Sequence, residues 1–418
     1  MDTPTGPPTF AAAARFWVQL GSVSFGGPAG QIAILHREVV QRRRWVDEDT
    51  FTGALNFCML LPGPEALQLA IFLGWKLHGL RGGLLAGLGF IVPSVLLLFA
   101  LSFLYASFGG VPWLAAIIYG LQAAVIALVL QALWRIARRA LRTRLHVALA
   151  LGSFVALQFG GVPFPWLLLA AALAGALSLR DSTPPVRIPD DSPVVVRRHP
   201  ALRIAAAGLG LWVVPLLVVG GSFGFDALWT QLYLFFSKAA LVTFGGAYAV
   251  LGYVTHELVD RLGWITAQQS VAGLALAETT PGPLVIVLQF LGFMTGWNQP
   301  GSLSAPVAAL LGGALASWAT FLPSFVFILL GAPHVDRLAQ HRRIGAALAA
   351  ITAAVVGVIA TLALLLAQVV LFRQGWSAPD WVALALSLAA WWALERWQWP
   401  LPAVLAAAAG AGLLLGYF

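Results

Sequence analysis

Charge and cysteine are both scarce in this chain of 418 residues. Only 10% of the residues are charged, whereas 60% are hydrophobic. A soluble protein of this length would alternate polar and apolar faces, so the composition excludes a soluble fold and favours helices embedded in a lipid bilayer. The single cysteine, Cys58, excludes an internal disulfide, a cysteine-rich metal site and a dithiol redox pair.

Sequence motifs of enzymes are also lacking. The chain has no phosphate-binding loop, no cluster of zinc ligands and no Gly-x-Ser-x-Gly elbow. We therefore predict that the protein is not an enzyme, that it uses no cofactor or metal, and that ATP hydrolysis does not drive it.

The positive charge that is present lies mainly in short loops. The formal net charge is +8, and apart from Lys76 and Lys238 the basic residues are all arginine. An excess of basic residues in short loops marks the cytoplasmic side of a membrane protein. By this rule the cytoplasmic clusters are 42–44, 76–81, 135–144, 180–203, 337–343 and Arg396.

Nine apolar stretches are about long enough to cross a bilayer core of roughly 30 Å. These predicted spans lie near 82–104, 113–134, 145–160, 163–179, 201–220, 304–330, 344–370, 380–394 and 399–416. Four more apolar segments, 10–41, 48–79, 229–259 and 266–297, are interrupted by glycine or proline. The chain is therefore predicted to be an all-α, polytopic membrane protein.

The interruptions occur twice, at a constant offset of 219 residues. Ser-Phe-Gly-Gly begins at residue 24 and Thr-Phe-Gly-Gly at residue 243, and Pro-Gly-Pro occupies 62–64 and 281–283. Such breaks free backbone groups that lipid cannot satisfy, so they are tolerated where they line a cavity or a binding site. Duplicated halves with broken helices are typical of secondary transporters.

Two geometries are open for the interrupted segments, a crossing of the membrane or a re-entrant hairpin, and the positive-inside rule favours the hairpin. In either geometry an odd number of ordinary spans separates the copies, so the second copy is predicted to be inverted. The predicted domains are a first repeat at 1–179, a cytoplasmic linker at 180–200, a connecting span at 201–227 and a second, inverted repeat at 228–418.

The breaks predict a site for a small oxyanion. Half-helices that begin near Pro28, Pro64, Ala247 and Pro283 would point four partly positive N-termini at one cavity. The alternative is that glycine and proline only kink the helices and that nearby polar residues only pack them. The candidate substrate-binding residues are Ser24, Phe25, Gly26, Gly27, Asn56, Pro62, Gly63, Pro64, Lys238, Thr243, Phe244, Gly245, Gly246, Thr279, Thr280, Pro281, Gly282 and Pro283.

Ionisable residues within apolar segments are costly and are therefore further candidates. Lys238 and Arg15 could neutralise a bound anion. Glu65 and Glu278 could carry a proton, because removal from water favours the neutral form of a carboxyl. The alternative is a structural ion pair between a glutamate and one of the two cations.

Glu38 and Glu257 are a duplicated acidic pair at the ends of their half-helices. They are interpreted either as gates or as solvated helix ends. Arg42, Arg43 and Arg44 could gather anions at the cytoplasmic mouth by electrostatic steering, or could act only as determinants of topology.

The paired motifs resemble those of the chromate ion transporter (CHR) family in its long, two-domain form. The matching stretches are 25–31, 56–66 and 74–79 in the first half, and 244–248 and 273–283 in the second. The resemblance implies a multi-pass protein of the bacterial inner membrane that exports chromate and confers chromate resistance. It also implies sulfate, an isosteric dianion, as a competitor, and proton coupling as a proposal.

Energetics agrees with export. Moving one charge through 100 mV is worth about 2.3 kcal/mol, and a dianion that leaves a negative cell interior gains about twice that. Export needs no second energy source, so proton coupling stays open. A sulfate or general oxyanion carrier, an anion channel and a membrane-embedded enzyme are the alternatives, and a homodimer is the expectation from oligomer frequencies.

Overall fold

The computed structural model describes residues 8–178, 201–244, 246–334, 342–373 and 375–415. Within these ranges the regular structure is entirely helical, as predicted. The predicted linker at 180–200 and the candidate Gly245 lie outside the described residues.

The helices of the first half and the connecting helix follow one another with short loops. They are α1 Phe10–Val23, α2 Gly27–His36, α3 Glu48–Cys58, α4 Glu65–Phe108, α5 Pro112–Ala140, α6 Arg144–Gln158, α7 Phe164–Ser178 and α8 Ala201–Phe223. A π-helical turn, Arg37–Arg42, extends α2.

The second half repeats this order. Its helices are α9 Leu228–Leu241, α10 Ala247–Thr255, α11 Ala267–Glu278, α12 Val287–Asn298, α13 Ala305–Gly331, α14 Arg342–Leu371, α15 Trp381–Glu395 and α16 Leu401–Leu415. A π-helical turn, His256–Arg261, extends α10, and a 3-10 turn, Leu284–Ile286, precedes α12.

Equivalent helices begin for the same local reason. Asp47 caps α3 by accepting a hydrogen bond of 2.6 Å from the backbone N–H of Thr50. At the equivalent place, Thr266 caps α11 and forms a capping box with Gln269. These side chains satisfy N–H groups that a helix start otherwise leaves without partners.

Five helices are long and apolar enough to span a membrane: α4, α5, α8, α13 and the part of α14 at Gly345–Leu371. The four other predicted spans correspond to α6, α7, α15 and α16, which have 15 residues each. At 1.5 Å per residue a helix of this length measures about 22 Å, less than a bilayer core of about 30 Å. The prediction of nine full-length spans therefore holds for five of them among the described residues.

The first interrupted segment of each half folds back on itself. The rings of Phe16 and Trp45 lie 4.9 Å apart, and the equivalent rings of Phe235 and Trp264 lie 6.3 Å apart. A continuous helix would separate the members of each pair by roughly 40 Å at 1.5 Å per residue. The chain therefore reverses at each Gly-Gly break.

The second interrupted segment of the second half also returns to where it began, and that of the first half ends beside the start of α1. At the end of α12, Asn298 donates hydrogen bonds to the carbonyl of Trp264, at 3.0 Å, and to Gln269, at 2.9 Å. In the first half, α4 bends at His78 and Gly79, where the backbone leaves the helical conformation. The His78 ring bonds the carbonyl of Pro8 at 2.8 Å, beside the start of α1.

One long helix of each half packs against helices of the other half. α5 packs against α15 and α16 of the second half, whereas α14 packs against α6 and α7 of the first. Glycine permits both approaches, because Gly412 lies against Gly120 of α5 and Gly175 lies against Ala346 of α14. The hydrophobic core is consequently shared by both halves.

Candidate anion-binding cavity

A cavity of about 1220 Å³ lies among the breaks of the two halves and the C-terminal part of α5. Its polar and charged lining consists of Glu65, Gln131, Arg135, Arg139, Arg142, His146, Tyr248, Glu278, Thr352 and Gln398. The lining reaches the loops at 141–143 and 396–400, both of which belong to clusters predicted to be cytoplasmic. The cavity is therefore continuous with the basic side of the protein.

Two helix N-termini reach this cavity. Gly26 and Gly27 at the start of α2, and Gly246 at the start of α10, all line it. Their φ angles of 101°, 65° and 99° are in the left-handed region, which glycine adopts without strain. Neither helix has a side-chain cap, so the partly positive ends of both are left to face the cavity.

Arginine residues of α5 provide most of the positive charge. Arg135 and Arg139 lie one helical turn apart and line the cavity together with Arg142. In the part of the chain that the structure describes, neither Arg135 nor Arg139 forms a salt bridge. Their guanidinium groups are thus available to an oxyanion, which they can bind with paired N–H donors.

The sequence reasoning missed these arginines because it treated 135–144 only as a topology signal. A usable signal was the spacing of Gln131, Arg135 and Arg139, which places three polar side chains on one face of an otherwise apolar helix. The sequence does not reveal that this face meets the breaks.

Glu65 and Glu278, the candidates for carrying a proton, both line the cavity. Glu278 is buried, and its Oε1 accepts a hydrogen bond of 2.6 Å from the hydroxyl of Tyr248. Glu65 is the first residue of α4, where a carboxylate is favourable to the helix dipole. The cavity thus combines cationic groups with two acids that can hold a proton or a charge.

The Pro-Gly-Pro loops do not line the cavity, contrary to expectation. Each glycine N–H instead donates a hydrogen bond of 2.8 Å to the other half, Gly63 to the carbonyl of Thr243 and Gly282 to that of Ser24. Gln31 strengthens the second contact by donating to the carbonyl of Gly282. These loops therefore join the halves, and their prolines at 62, 64, 281 and 283 are not among the lining residues.

The predicted hydroxyl donors are also used within the protein. The hydroxyls of Ser24 and Thr243 donate to the carbonyls four residues earlier, at 2.6 and 2.7 Å. Those of Thr279 and Thr280 both donate to the carbonyl of Leu276. Phe25, Phe244 and Asn56 lie near the breaks in sequence but are not among the residues that line the cavity.

Lys238 and Arg15 lie outside the cavity as well. Both side chains are on the exposed faces of their helices, α9 and α1. Neither residue is among those that line the cavity, so the structure does not bring them to the glycine ends of α2 and α10.

Glu38 and Glu257, the duplicated acidic pair, each form an ion pair with arginine. Glu38 pairs with Arg42 at 2.8 Å, and the equivalent Glu257 pairs with Arg261 at 3.2 Å. Arg43 stacks over the rings of Phe16 and Trp45, 4.7 and 5.2 Å from their centroids. Glu38, Glu257 and the exposed arginines at 42–44 therefore do not line the cavity and are placed at the ends of the hairpins.

Long apolar helices, broken helices and an internal charged cavity together define a multi-pass membrane protein of the transporter class. No three His, Cys, Asp or Glu side chains among the described residues are grouped so that they could hold a metal ion. No solved structure matches the chain.

The chain belongs to the chromate transporter family. The model of this family, "Chromate transporter", matches residues 11–176 and 230–413, which confirms the family predicted from the paired motifs. The "Chromate transport protein" of Pseudomonas aeruginosa is 36% identical over 365 residues, which cover 85% of this chain and 80% of that protein.

Two further relatives extend over more of the chain. The "Probable chromate transport protein" of Synechococcus elongatus is 28% identical over 409 residues, or 96% of this chain and 94% of its own length. The "Chromate transport protein" of Cupriavidus metallidurans is 29% identical over 384 residues, 88% of either chain.

Proposed function

We propose that this protein is a secondary transporter that exports chromate across the bacterial inner membrane. The observation that carries the proposal is the meeting of the uncapped N-termini of α2 and α10 with Arg135 and Arg139 in one cavity. Helix N-termini and guanidinium groups both bind oxyanions. The relatives named as chromate transport proteins support chromate as the particular oxyanion.

The balance of charge suits a dianion. Three guanidinium groups and two helix N-termini face two carboxyls, and one of those carboxyls is already held by Tyr248. When both carboxyls are ionised, the lining still carries an excess of positive charge. A tetrahedral dianion can supply the missing negative charge and several acceptor oxygens.

Alternating access is supported by the contacts between the halves. Three of the four interrupted segments fold back on themselves, the fourth ends beside the start of α1, and equivalent helices of the two halves pack across the interface. We infer that the segments are re-entrant hairpins and that the halves are inverted repeats, which can rock against each other around a central site. Because the cavity reaches two basic loops, the described conformation is inward-facing.

Coupling to protons is proposed for Glu65 and Glu278. A dianion and an ionised carboxylate in one cavity repel each other, so anion binding favours the protonated acid. Proton coupling predicts that chromate flux changes when a pH gradient is imposed at constant voltage. Equal chromate flux with and without the gradient would show that the protein is a uniporter driven by voltage alone.

Chromate uptake into inside-out membrane vesicles with an imposed potential tests the proposed function. We expect saturable chromate uptake with weak inhibition by sulfate, which can compete because it is a dianion of the same shape. Uptake of sulfate but not of chromate would show that sulfate is the substrate. A flux that does not saturate with concentration would show that the protein is a channel and not a carrier. Vesicles that contain Arg135→Ala provide the control for a protein that inserts but lacks a cavity cation.

A further inference from the structure

Three buried oxygen atoms around the first Pro-Gly-Pro loop have no hydrogen-bond partner among the described residues. They are Oε1 of Gln68, Oγ1 of Thr320 and Oγ of Ser324. The residues are 0%, 3% and 0% exposed. Buried polar atoms are nearly always paired with protein, an ion or ordered water, so three such oxygens in one region indicate a bound ion or water.

Three other buried hydroxyls of the protein behave differently. Ser102, Thr295 and Ser387 each donate to the carbonyl four residues earlier, at 2.6 to 2.9 Å. This local bond is the ordinary way in which serine and threonine are satisfied inside a helix. Thr320 and Ser324 do not use it, so their oxygens stay available.

Two of these side chains, those of Gln68 and Ser324, flank the backbone of Gly63. A methyl group added to this glycine would lie 2.7 Å from Oγ of Ser324 and 2.6 Å from Nε2 of Gln68, so both side chains flank its Cα. Thr320 precedes Ser324 by one turn of α13 and therefore lies on the same helix face. The Gln68 amide donates through Nε2 to the carbonyl of Pro62, at 2.7 Å, which leaves its oxygen free.

The carbonyl of Ala319 is a fourth candidate oxygen, because the residue four positions later is Pro323. Proline has no backbone N–H, so Pro323 cannot donate the helical hydrogen bond to the carbonyl of Ala319. Ala319 is buried and adjoins Thr320 in the chain. The side chains of Gln68 and Ser324 thus lie beside the unwound loop, and the hydroxyl of Thr320 and the carbonyl of Ala319 follow about one turn away on α13.

We propose that this cluster, made of Gln68, Ala319, Thr320 and Ser324, binds a monovalent alkali cation of the size of sodium. Hard cations take oxygen ligands, and a site without carboxylates suits a single charge rather than a divalent ion. Broken membrane helices are places where freed carbonyls coordinate such cations. A chloride or oxyanion does not fit, because the free atoms include two acceptors without any hydrogen.

The second Pro-Gly-Pro loop lacks the cluster. Pro93 and Ser94 repeat the Pro-Ser pair of α13, and Ser94 lies against Gly282. However, Phe90 stands where α13 has Thr320, and Val287 stands at the position equivalent to Gln68. Oγ of Ser94 is likewise buried without a hydrogen-bond partner among the described residues, but Phe90 and Val287 add no oxygen beside it. We therefore place the cation site at the first loop, and Ser94, a single orphan hydroxyl, is the matched control.

The cation has a role in anion binding, an inference that rests on the proposed function. Gln68 lies one helical turn beyond Glu65, whose carboxyl lines the cavity. A positive charge at this distance offsets the repulsion between Glu65 and a bound dianion. By reciprocity, the dianion also tightens cation binding.

Sodium binding to the purified full-length protein tests the site without any need for transport. The unfolding temperature is measured in sodium chloride and in choline chloride at equal ionic strength, because a ligand of the folded state raises it. We expect a rise in sodium for the parent protein and for Ser94→Ala. Ser324→Ala and Thr320→Val should each weaken the sodium affinity at least tenfold.

Equal unfolding temperatures of the parent in the two salts would overturn the cation site, as would undiminished sodium binding in both Ser324→Ala and Thr320→Val. The occupant would then be water. Chromate affinity, measured with and without sodium, tests the coupling separately. If sodium binds but chromate binds in neither salt, the proposed function fails and the cation site stands.

Discussion

The two halves share their backbone breaks but differ in the side chains that they bring to the cavity. Tyr248 and Glu278 of the second half form a hydrogen-bonded pair, whereas Ala29 and Met59 occupy the equivalent positions of the first half, and all four residues line the cavity. Duplication therefore preserved the architecture, while the chemistry of each side diverged.

Two sets of contacts remain equivalent between the halves. The glycine-to-carbonyl bonds across the interface, both of 2.8 Å, are equivalent, and so are the ion pairs of Glu38 and Glu257 with arginine. Glu65 is an acid that only the first half has at its position, because Leu284 is the equivalent residue of the second half. Each side of the cavity thus has one acid, placed differently.

The largest expected effect is on the loop that joins the halves. In Gly282→Ala, the new methyl group overlaps the hydroxyl of Ser94 and the left-handed φ of 100° becomes strained. In Gly246→Ala, the φ of 99° is strained at about 1–3 kcal/mol, but no atom lies within 4 Å of the methyl group. We expect Gly282→Ala to lose most of the folded protein in size-exclusion chromatography and Gly246→Ala to retain it. Equal yields would show that the loop is not tightly packed.

The cavity arginines come next. Arg135→Ala removes a guanidinium group from the cavity that the helix N-termini also line, and a hydrogen bond to a charged group is worth about 1.5–3 kcal/mol. We expect chromate affinity, measured by calorimetry, to fall roughly tenfold to hundredfold. Lys238→Ala is the control, because its exposed side chain lies outside the cavity. A larger loss in Lys238→Ala than in Arg135→Ala would move the anion site to α9.

The asymmetry of the two sides can be removed directly. Met59→Glu gives the first half the carboxyl that the second half has at Glu278. An added negative charge should weaken chromate binding about tenfold at neutral pH, since the repulsion between two like charges within one cavity is on the order of 1–2 kcal/mol. Met59→Gln, which has similar size and no charge, should bind as the parent does. Equal affinities of both variants would show that Met59 lies too far from the anion.

The smallest expected effect concerns the pair in the second half. Tyr248→Phe removes the donor of the 2.6 Å hydrogen bond to Glu278 and leaves a buried carboxyl without this partner. We expect a loss of about 0.5–1.5 kcal/mol in the free energy of unfolding, seen as a lower unfolding temperature. The double variant Tyr248→Phe with Glu278→Gln should recover part of it. A double variant as unstable as Tyr248→Phe would show that the hydroxyl has another role.

Much of the fold could be predicted because it depends on local pattern. The Gly-Gly breaks at 26–27 and the start of α10 follow from residues that set the backbone conformation by themselves. Glu65 and Glu278 could be proposed for the cavity because they adjoin the breaks in sequence. Lys238 also adjoins a break, but the face of a helix that points inward depends on packing partners far along the chain.

The sequence by itself determined a helical membrane protein with duplicated broken helices and its membership of the chromate transporter family, because hydropathy, glycine, proline and paired motifs are properties of short stretches. Only the tertiary structure decided that Arg135 and Arg139 face the breaks and that Gly63 and Gly282 join the halves. Those contacts join residues more than 100 positions apart, and the exchange of α5 and α14 between the halves brings such residues together.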